Sequence, residues 1–212
     1  MLVRDIMTKD VVTVPPSVSV ADAQKIMRER NFRRLPVVDV NKLVGIVTED
    51  RLGRVSPRTT SPFLWQIAYL VSHTTVGEVM SKKVVTVKPE ATVEQAVALA
   101  QSRKVGSLVV VEGGKVVGIV TTNDFFYSVV NPILGLGESG VRIIVPEGGG
   151  GQSAERIIAC INKLGVGIRI LWTIASSVAN KKDIVIQLDT EDATIVIKEL
   201  QNLGFSASIR PS

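Results

Sequence analysis

The 212 residues include one cysteine and one histidine, and only 4% are aromatic. Each scarcity excludes something. A lone cysteine cannot close an intrachain disulfide, and Cys160 lies between Ala159 and Ile161 in an amphipathic helical pattern, the setting of a small buried side chain. His73 has no cysteine or carboxylate at ligand spacing, which argues against a metal site. Few aromatics leave little to stack on unpaired bases, and the net charge of +5 is not laid out as a basic stripe, so nucleic acid is not an expected partner. Long apolar runs are missing too. The most apolar stretch, 164–179, is broken by Arg169 and too short to span a bilayer, and charges fall within the first five residues, where a secretory signal would need an apolar core. The expectation is a cytoplasmic protein with no membrane partner. With no nucleophile–base pair, paired acids or metal-ligand cluster, neither an enzyme nor a catalytic cofactor is expected.

What the chain does contain is a duplication. Residues 3–52 laid over residues 76–125 at a constant offset of 73 match at twenty of fifty positions without a gap. V-V-T-V at Val11 to Val14 returns at Val84 to Val87, and G-I-V-T at Gly45 to Thr48 returns at Gly118 to Thr121. Units this short bury their apolar faces against a neighbour, and two like units leave a cleft between them. The charge is uneven across them. Residues 1–60 hold eleven Lys or Arg against seven Asp or Glu, residues 61–140 six against six, and residues 141–212 eight against seven. The excess in the first repeat reads either as a solvated face or as a patch directed at phosphate.

Within each unit the order of signals is the same. A short lead precedes the β-branched V-V-T-V run, which ends at Pro16 or Pro89. Ser19 and Thr92, each followed three residues on by Asp22 or Gln95, predict helix N-caps, and Val20, Ala23, Ile26 and Met27, or Val93, Ala96, Val97 and Ala100, predict one apolar helix face. Two strands follow, Leu35 to Val38 with Leu43 to Val47 and Leu108 to Val111 with Val116 to Val120, joined at Asn41 or at Gly113-Gly114. A short helix start closes the unit as β-α-β-β-α.

V-V-T-V-x-P, L-x-V-V and G-I-V-T in this register resemble the cystathionine β-synthase (CBS) domain family, here as a tandem pair over residues 1–127. The resemblance implies an α+β regulatory module that binds an adenosine compound (AMP, ADP, ATP or S-adenosylmethionine) between its units, with contacts at Thr13, Thr48, Thr86, Val87, Ser107 and Thr121. Thr121 and Asp124 share a face at a helix start, where the hydroxyl suits a phosphate oxygen and the carboxylate can accept from both ribose hydroxyls. Plain capping explains the same pair. In the first unit Arg51 stands where the second has Asp124, and arginine accepts no hydrogen bond. Either Asp50 turns in from one position earlier, or Arg51 grips an anion. Arg33 and Arg34, placed in the cleft by the resemblance, could hold phosphate bidentately, whereas their counterparts Gly106 and Ser107 are uncharged.

Residues 53–62 read as a linker and Phe63 to Val71 as an apolar helix that caps the pair or meets another chain. Helix breakers in 131–140 suggest a boundary near residue 138. The expected domains are repeat 1 at 1–60, a connector at 61–75, repeat 2 at 76–137 and a last domain at 138–212. In the last, a strand at Val141 to Val145, a helix capped by Ser153, strands at Ile168 to Ser177 and Asp183 to Leu188, a helix at Asp192 to Leu203 and a strand at Phe205 to Ile209 give βαββαβ. That order resembles the ferredoxin-like ACT domain, which implies an amino-acid effector or a homodimer; Gly148, Gly149, Gly150 and Gly151 are then either an effector loop or a flexible one. The whole arrangement resembles the acetoin-utilisation B-type proteins of bacteria and implies a sensor that controls an unidentified protein. The alternative is a ligand-free module for dimerisation and docking.

Overall fold

The first unit is built by the repetition that the sequence announces. A computed structural model describes residues 1–55 and 73–210, divided into two compact units, Met1–Phe125 and Phe126–Ser212. The connector helix expected at Phe63 to Val71 lies outside the described residues. Repeat 1 consists of α1 (Val3–Ile6), α2 (Val20–Arg30), β1 (Arg34–Asp39), β2 (Lys42–Thr48) and α3 (Glu49–Val55). Repeat 2 consists of α4 (Val76–Val79), β3 (Thr86–Val87), α5 (Val93–Arg103), β4 (Ser107–Glu112), β5 (Lys115–Thr121) and α6 (Thr122–Phe125). The caps form as the sequence predicts. Ser19 Oγ accepts from the Asp22 amide at 3.0 Å, and Thr92 and Gln95 exchange two bonds at 3.0 and 3.2 Å. Val20, Ala23 and Met27 of α2, and Val93 and Ala96 of α5, are buried.

Both hairpins turn on two residues with positive φ. Gly113 and Gly114 take 56° and 81° without steric cost, whereas Val40 and Asn41 take 43° and 66°. A β-branched Val40 in that region stores strain of about 1 kcal/mol. The V-V-T-V strands are shorter than expected. In repeat 2 only Thr86 and Val87 pair, in parallel with Val109 and Val110, and in repeat 1 a single bridge joins Val14 to Val37. The difference between the repeats has a cause. The Val109 amide donates to the Val85 carbonyl at 3.1 Å, but the equivalent of Val109 is Pro36, which has no proton for Val12.

The leads, read from sequence only as polar–apolar segments, form short helices, and each lies on the other repeat. Val3 donates to the Ala91 carbonyl at 2.9 Å, and its counterpart Val76 donates to Val18 at 2.7 Å. Thr8 and Ile119 exchange two bonds at 3.0 and 3.1 Å, as do Ser81 and Ile46 at 2.9 and 3.0 Å. Gly118 and Gly45 make room for the crossing. A Cβ on Gly118 would strike Met7 Sδ and lie 3.2 Å from the Thr8 carbonyl oxygen; on Gly45 it would strike Met80 Sδ and lie 3.1 Å from that of Ser81.

The second unit comprises a π-helical turn at Phe126–Val130, α7 (Asn131–Leu134), β6 (Arg142–Val145), α8 (Gly151–Lys163), β7 (Ile168–Ala175), β8 (Lys182–Leu188), α9 (Thr194–Asn202) and β9 (Ser208–Ile209). The strands form one antiparallel sheet in the order β7-β8-β6-β9. Ile143, Val145, Ile184, Ile186 and Leu188 face Ile157 and Ile161 of α8 and Val196 and Leu200 of α9. Expected helix starts and strand lengths shift here. The cap of α8 is Gly150, not Ser153, and the last strand shrinks to two residues because only Ser208 and Ile209 reach β6. In α8, burial and the nearby Glu199 raise the Cys160 thiol above its usual range, away from a reactive thiolate.

Alternation on β6 and β8 puts Arg142 and Gln187 on the sheet face opposite this core. Arg142 donates to Gln187 Oε1 at 3.0 Å and to the carbonyls of Leu134 and Gly135 at 2.8 and 3.2 Å, while Gln187 donates to Ser139 and Gly140. A buried cation is thereby satisfied and residues 134–140 are fastened to the sheet.

The four glycines divide in two. A Cβ on Gly149 would stand 2.8 Å from Lys182 Cβ and 2.9 Å from its carbonyl oxygen, and one on Gly148 would stand 2.7 Å from Ile157 Cδ1. Gly150 and Gly151 open on free space. Gly149→Ala is therefore expected to destabilise by about 1–3 kcal/mol through overpacking, while Gly151→Ala, in the first turn of α8, stabilises by up to about 1 kcal/mol. Urea denaturation of the two variants checks this; equal midpoints would contradict it.

Candidate functional site

The ends of β2 and β5 bring the two G-I-V-T motifs to one place. Thr48 and Thr121 line a cleft of about 260 Å³ together with Arg33, Arg34, Asp50 and three residues the sequence did not single out, Glu49, Thr122 and Asn123. Strand pairing fixes the geometry, because Arg34 is opposite Thr48 and Ser107 is opposite Thr121 in their hairpins. Backbone bonds from Glu49 to the Arg33 carbonyl at 2.9 Å and from Thr122 to the Gly106 carbonyl at 3.3 Å close the equivalent corners. The missed residues had a signal in the sequence. They sit one or two positions after the repeated threonines, Glu49 after Thr48 and Thr122-Asn123 after Thr121.

Arg34 crosses from repeat 1 onto repeat 2. Its Nη2 would lie 2.8 Å from a Cβ on Gly106, so the guanidinium occupies the space that a side chain there would fill. Arg33 stays largely in solvent, 4.0 Å from Glu49, a loose pair that leaves its charge available.

The residues at the position of Asp124 do opposite jobs. Asp124 Oδ2 accepts from both the amide and the hydroxyl of Thr121 at 2.7 Å, the local cap that the spacing allowed, and Oδ1 remains to accept from elsewhere. In repeat 1 the Arg51 amide donates to Thr48 Oγ1 at 3.3 Å, while its side-chain Nε donates to the Val79 carbonyl at the end of α4. Arg51 thus ties repeat 1 to the lead of repeat 2. Arg51, Asp124, Thr13, Thr86, Val87 and Ser107 are not among the residues that line the cleft. Thr13 and Thr86 are exposed, whereas Val87 and Ser107 are half-buried in the sheet.

The CBS domain pattern matches residues 3–56 and again 76–131, more than half of the chain. The chain belongs to the CBS domain family. Its first unit is a tandem CBS pair of the α+β class. The solved structure of an AcuB-type acetoin utilization protein from Vibrio cholerae is similar at 31% identity and a TM-score of 0.53, covering 66% of this chain and 97% of that one. The structure of CBSX2 in complex with AMP is similar at 29% identity and a TM-score of 0.51, covering 61% and 96%. Among curated relatives, the inosine-5'-monophosphate dehydrogenase of Korarchaeum cryptofilum is 36% identical over 133 residues, which are 62% of this chain and 25% of the dehydrogenase. The chain spans less than half the length of the first curated relatives it matches. The CBS domain-containing protein YhcV of Bacillus subtilis is 31% identical over 58% of this chain and 81% of that protein. Among the described residues no helix is long and apolar enough to cross a membrane.

Proposed function

We propose that the chain is a non-enzymatic cytoplasmic sensor whose CBS pair binds an adenosine compound. The observation that carries this is the convergence of two equivalent threonines, Thr48 and Thr121, on one cleft that also holds Arg33 and Arg34. Hydroxyls and guanidinium groups together suit the hydroxyl-rich and anionic parts of a nucleotide. The AMP complex of CBSX2 supports the reading. On this reading Asp124 Oδ1 and Thr121 receive the ribose, Arg33 and Arg34 flank the phosphate, Asp50 turns in from repeat 1 as a hydroxyl acceptor, and Thr13, Thr86, Val87 and Ser107 form the outer contacts. Arg51, committed to Val79, acts as a tie between repeats instead of an anion grip.

In a thermal-shift panel of AMP, ADP, ATP and S-adenosylmethionine, a bound compound at a hundredfold excess over its Kd stabilises the fold by about 2.7 kcal/mol, or about 5–11 °C in Tm. No shift with any of them at millimolar concentration rejects the proposal and favours a ligand-free docking module.

The domain plan proposed is repeat 1 at 1–60, a connector at 61–75, repeat 2 at 76–137 and an ACT-like domain at 138–212. The strand order β7-β8-β6-β9 is that of a ferredoxin-like fold and supports the last of these. Gly150 and Gly151, which open on free space, are the part of the glycine loop suited to an amino-acid-like effector. The eight-residue edge strand β7 favours a homodimer, since an edge strand offers a row of backbone groups for pairing with a second copy. Sedimentation at micromolar concentration is expected to give a dimer; a 22.8 kDa species would reject it. Similarity to the AcuB-type protein supports a role in carbon utilisation through a regulated partner.

A further inference from the structure

A second hollow of about 850 Å³ runs over repeat 1 between α2 and α3 and shares Arg33, Glu49 and Asp50 with the cleft. Beyond these, it is lined by Arg28 of α2 and Arg54 of α3. Among the described residues, the two spaces together hold four arginines (Arg28, Arg33, Arg34 and Arg54) against two carboxylates, a local excess of two positive charges. The duplication supplies an internal control. At the offset of 73, Arg28, Arg33, Arg34 and Arg54 become Gln101, Gly106, Ser107 and Tyr127, and Glu49 and Asp50 become Thr122 and Asn123. Every charged residue lining this path in repeat 1 is neutral in repeat 2, although the two repeats keep the same hairpin in the same register. A solvated face with no ligand would give no reason for the charge to collect on one side of the cleft.

Resting on the adenosine reading above, we infer that the ligand carries a polyphosphate, with its nucleoside held by repeat 2 and its second and third phosphates running along the arginine groove of repeat 1. Size agrees, because the cleft alone is at the small end of ligand pockets while the groove has room for an extended chain. Charge also selects. The excess of guanidinium groups favours a nucleoside di- or triphosphate and disfavours S-adenosylmethionine, whose sulfonium is a cation. Arg28 and Arg54 are the specificity determinants, since they line the groove and not the cleft. Arg34 is in the cleft beside Gly106, where it meets the first phosphate of any nucleotide.

The test is calorimetric titration of the full chain with adenosine, AMP and ATP in magnesium-containing buffer, for the parent, Arg34→Ala and Arg28→Ala/Arg54→Ala. ATP is expected to bind at least about tenfold more tightly than AMP, in keeping with charge-assisted contacts of modest strength at exposed sites. Arg28→Ala/Arg54→Ala should remove that advantage and leave AMP within about twofold, while Arg34→Ala weakens AMP and ATP alike. If AMP and ATP bind the parent equally, or if the double variant keeps the preference for ATP, the polyphosphate assignment is wrong and the adenosine reading survives. If nothing binds the parent, the adenosine reading fails first. Exposed arginines make unfolding of the double variant unexpected, and raising the salt concentration gives a second readout. The ATP advantage of the parent should shrink with salt, and a salt-independent advantage overturns the proposal.

Discussion

Gly118→Val is expected to destabilise the first unit by about 3 kcal/mol, because the added side chain must displace the lead of the other repeat. At Gly118 even a Cβ collides with Met7 Sδ and stands 3.0 Å from Met7 Cγ. The backbone behind Met7 cannot retreat without breaking the paired bonds between Thr8 and Ile119. The pseudo-equivalent change, Gly45→Val against Met80, should cost about as much. Denaturant titration gives both values. Because the tightest clash is with the Met7 side chain, Met7→Ala should relieve part of the cost of Gly118→Val, and a double-mutant cycle showing no coupling between positions 7 and 118 would refute it. The consequence for function is direct. The crossed leads clamp the strands whose ends carry Thr48 and Thr121, so loosening one lead should also weaken whatever the cleft binds.

The second large effect concerns Asp124. Replacing it by alanine removes the acceptor for both the amide and the hydroxyl of Thr121 and, with it, the oxygen left for a ribose hydroxyl. Affinity for AMP or ATP should fall by about ten- to a hundredfold, corresponding to about 1.5–3 kcal/mol of lost or unpaired hydrogen bonds. The loss of the cap alone costs about 1 kcal/mol of stability, small enough for the variant to be titrated as a folded protein. Asp124→Ala binding AMP as the parent does would show that the carboxylate is a cap and nothing more.

Much of the fold was legible because its signals are local. Ser19 with Asp22, Thr92 with Gln95, and Gly113-Gly114 specify caps and a turn through residues three or fewer apart, and all appear where the sequence placed them. The order of elements in the second unit followed from periodicity in the same way. What could not be read depends on partners distant in sequence. The strand at Val11 to Val14 fails because Pro36, more than twenty residues away, has no amide proton to offer it. The exchange of leads joins residues 35 to 111 positions apart, from Ser81 with Ile46 to Thr8 with Ile119, and nothing in Met7 or Gly118 taken singly announces the other. At the site, Arg33, Arg34, Thr48, Asp50 and Thr121 come together, while Arg51 turns to the Val79 carbonyl, a backbone partner without a side-chain signature. Arg28 and Arg54 were visible only as part of a diffuse charge excess until α2 and α3 set them along one groove.

The most direct test of the central claim is a crystal structure of the chain grown with saturating ATP. The expected result is one nucleotide per chain in the cleft between Thr48 and Thr121, its ribose on the Asp124 side and its first phosphate within hydrogen-bonding reach of Arg34, about 3 Å. A well-ordered nucleotide bound away from these residues, or a cleft without ligand at saturation, would contradict it.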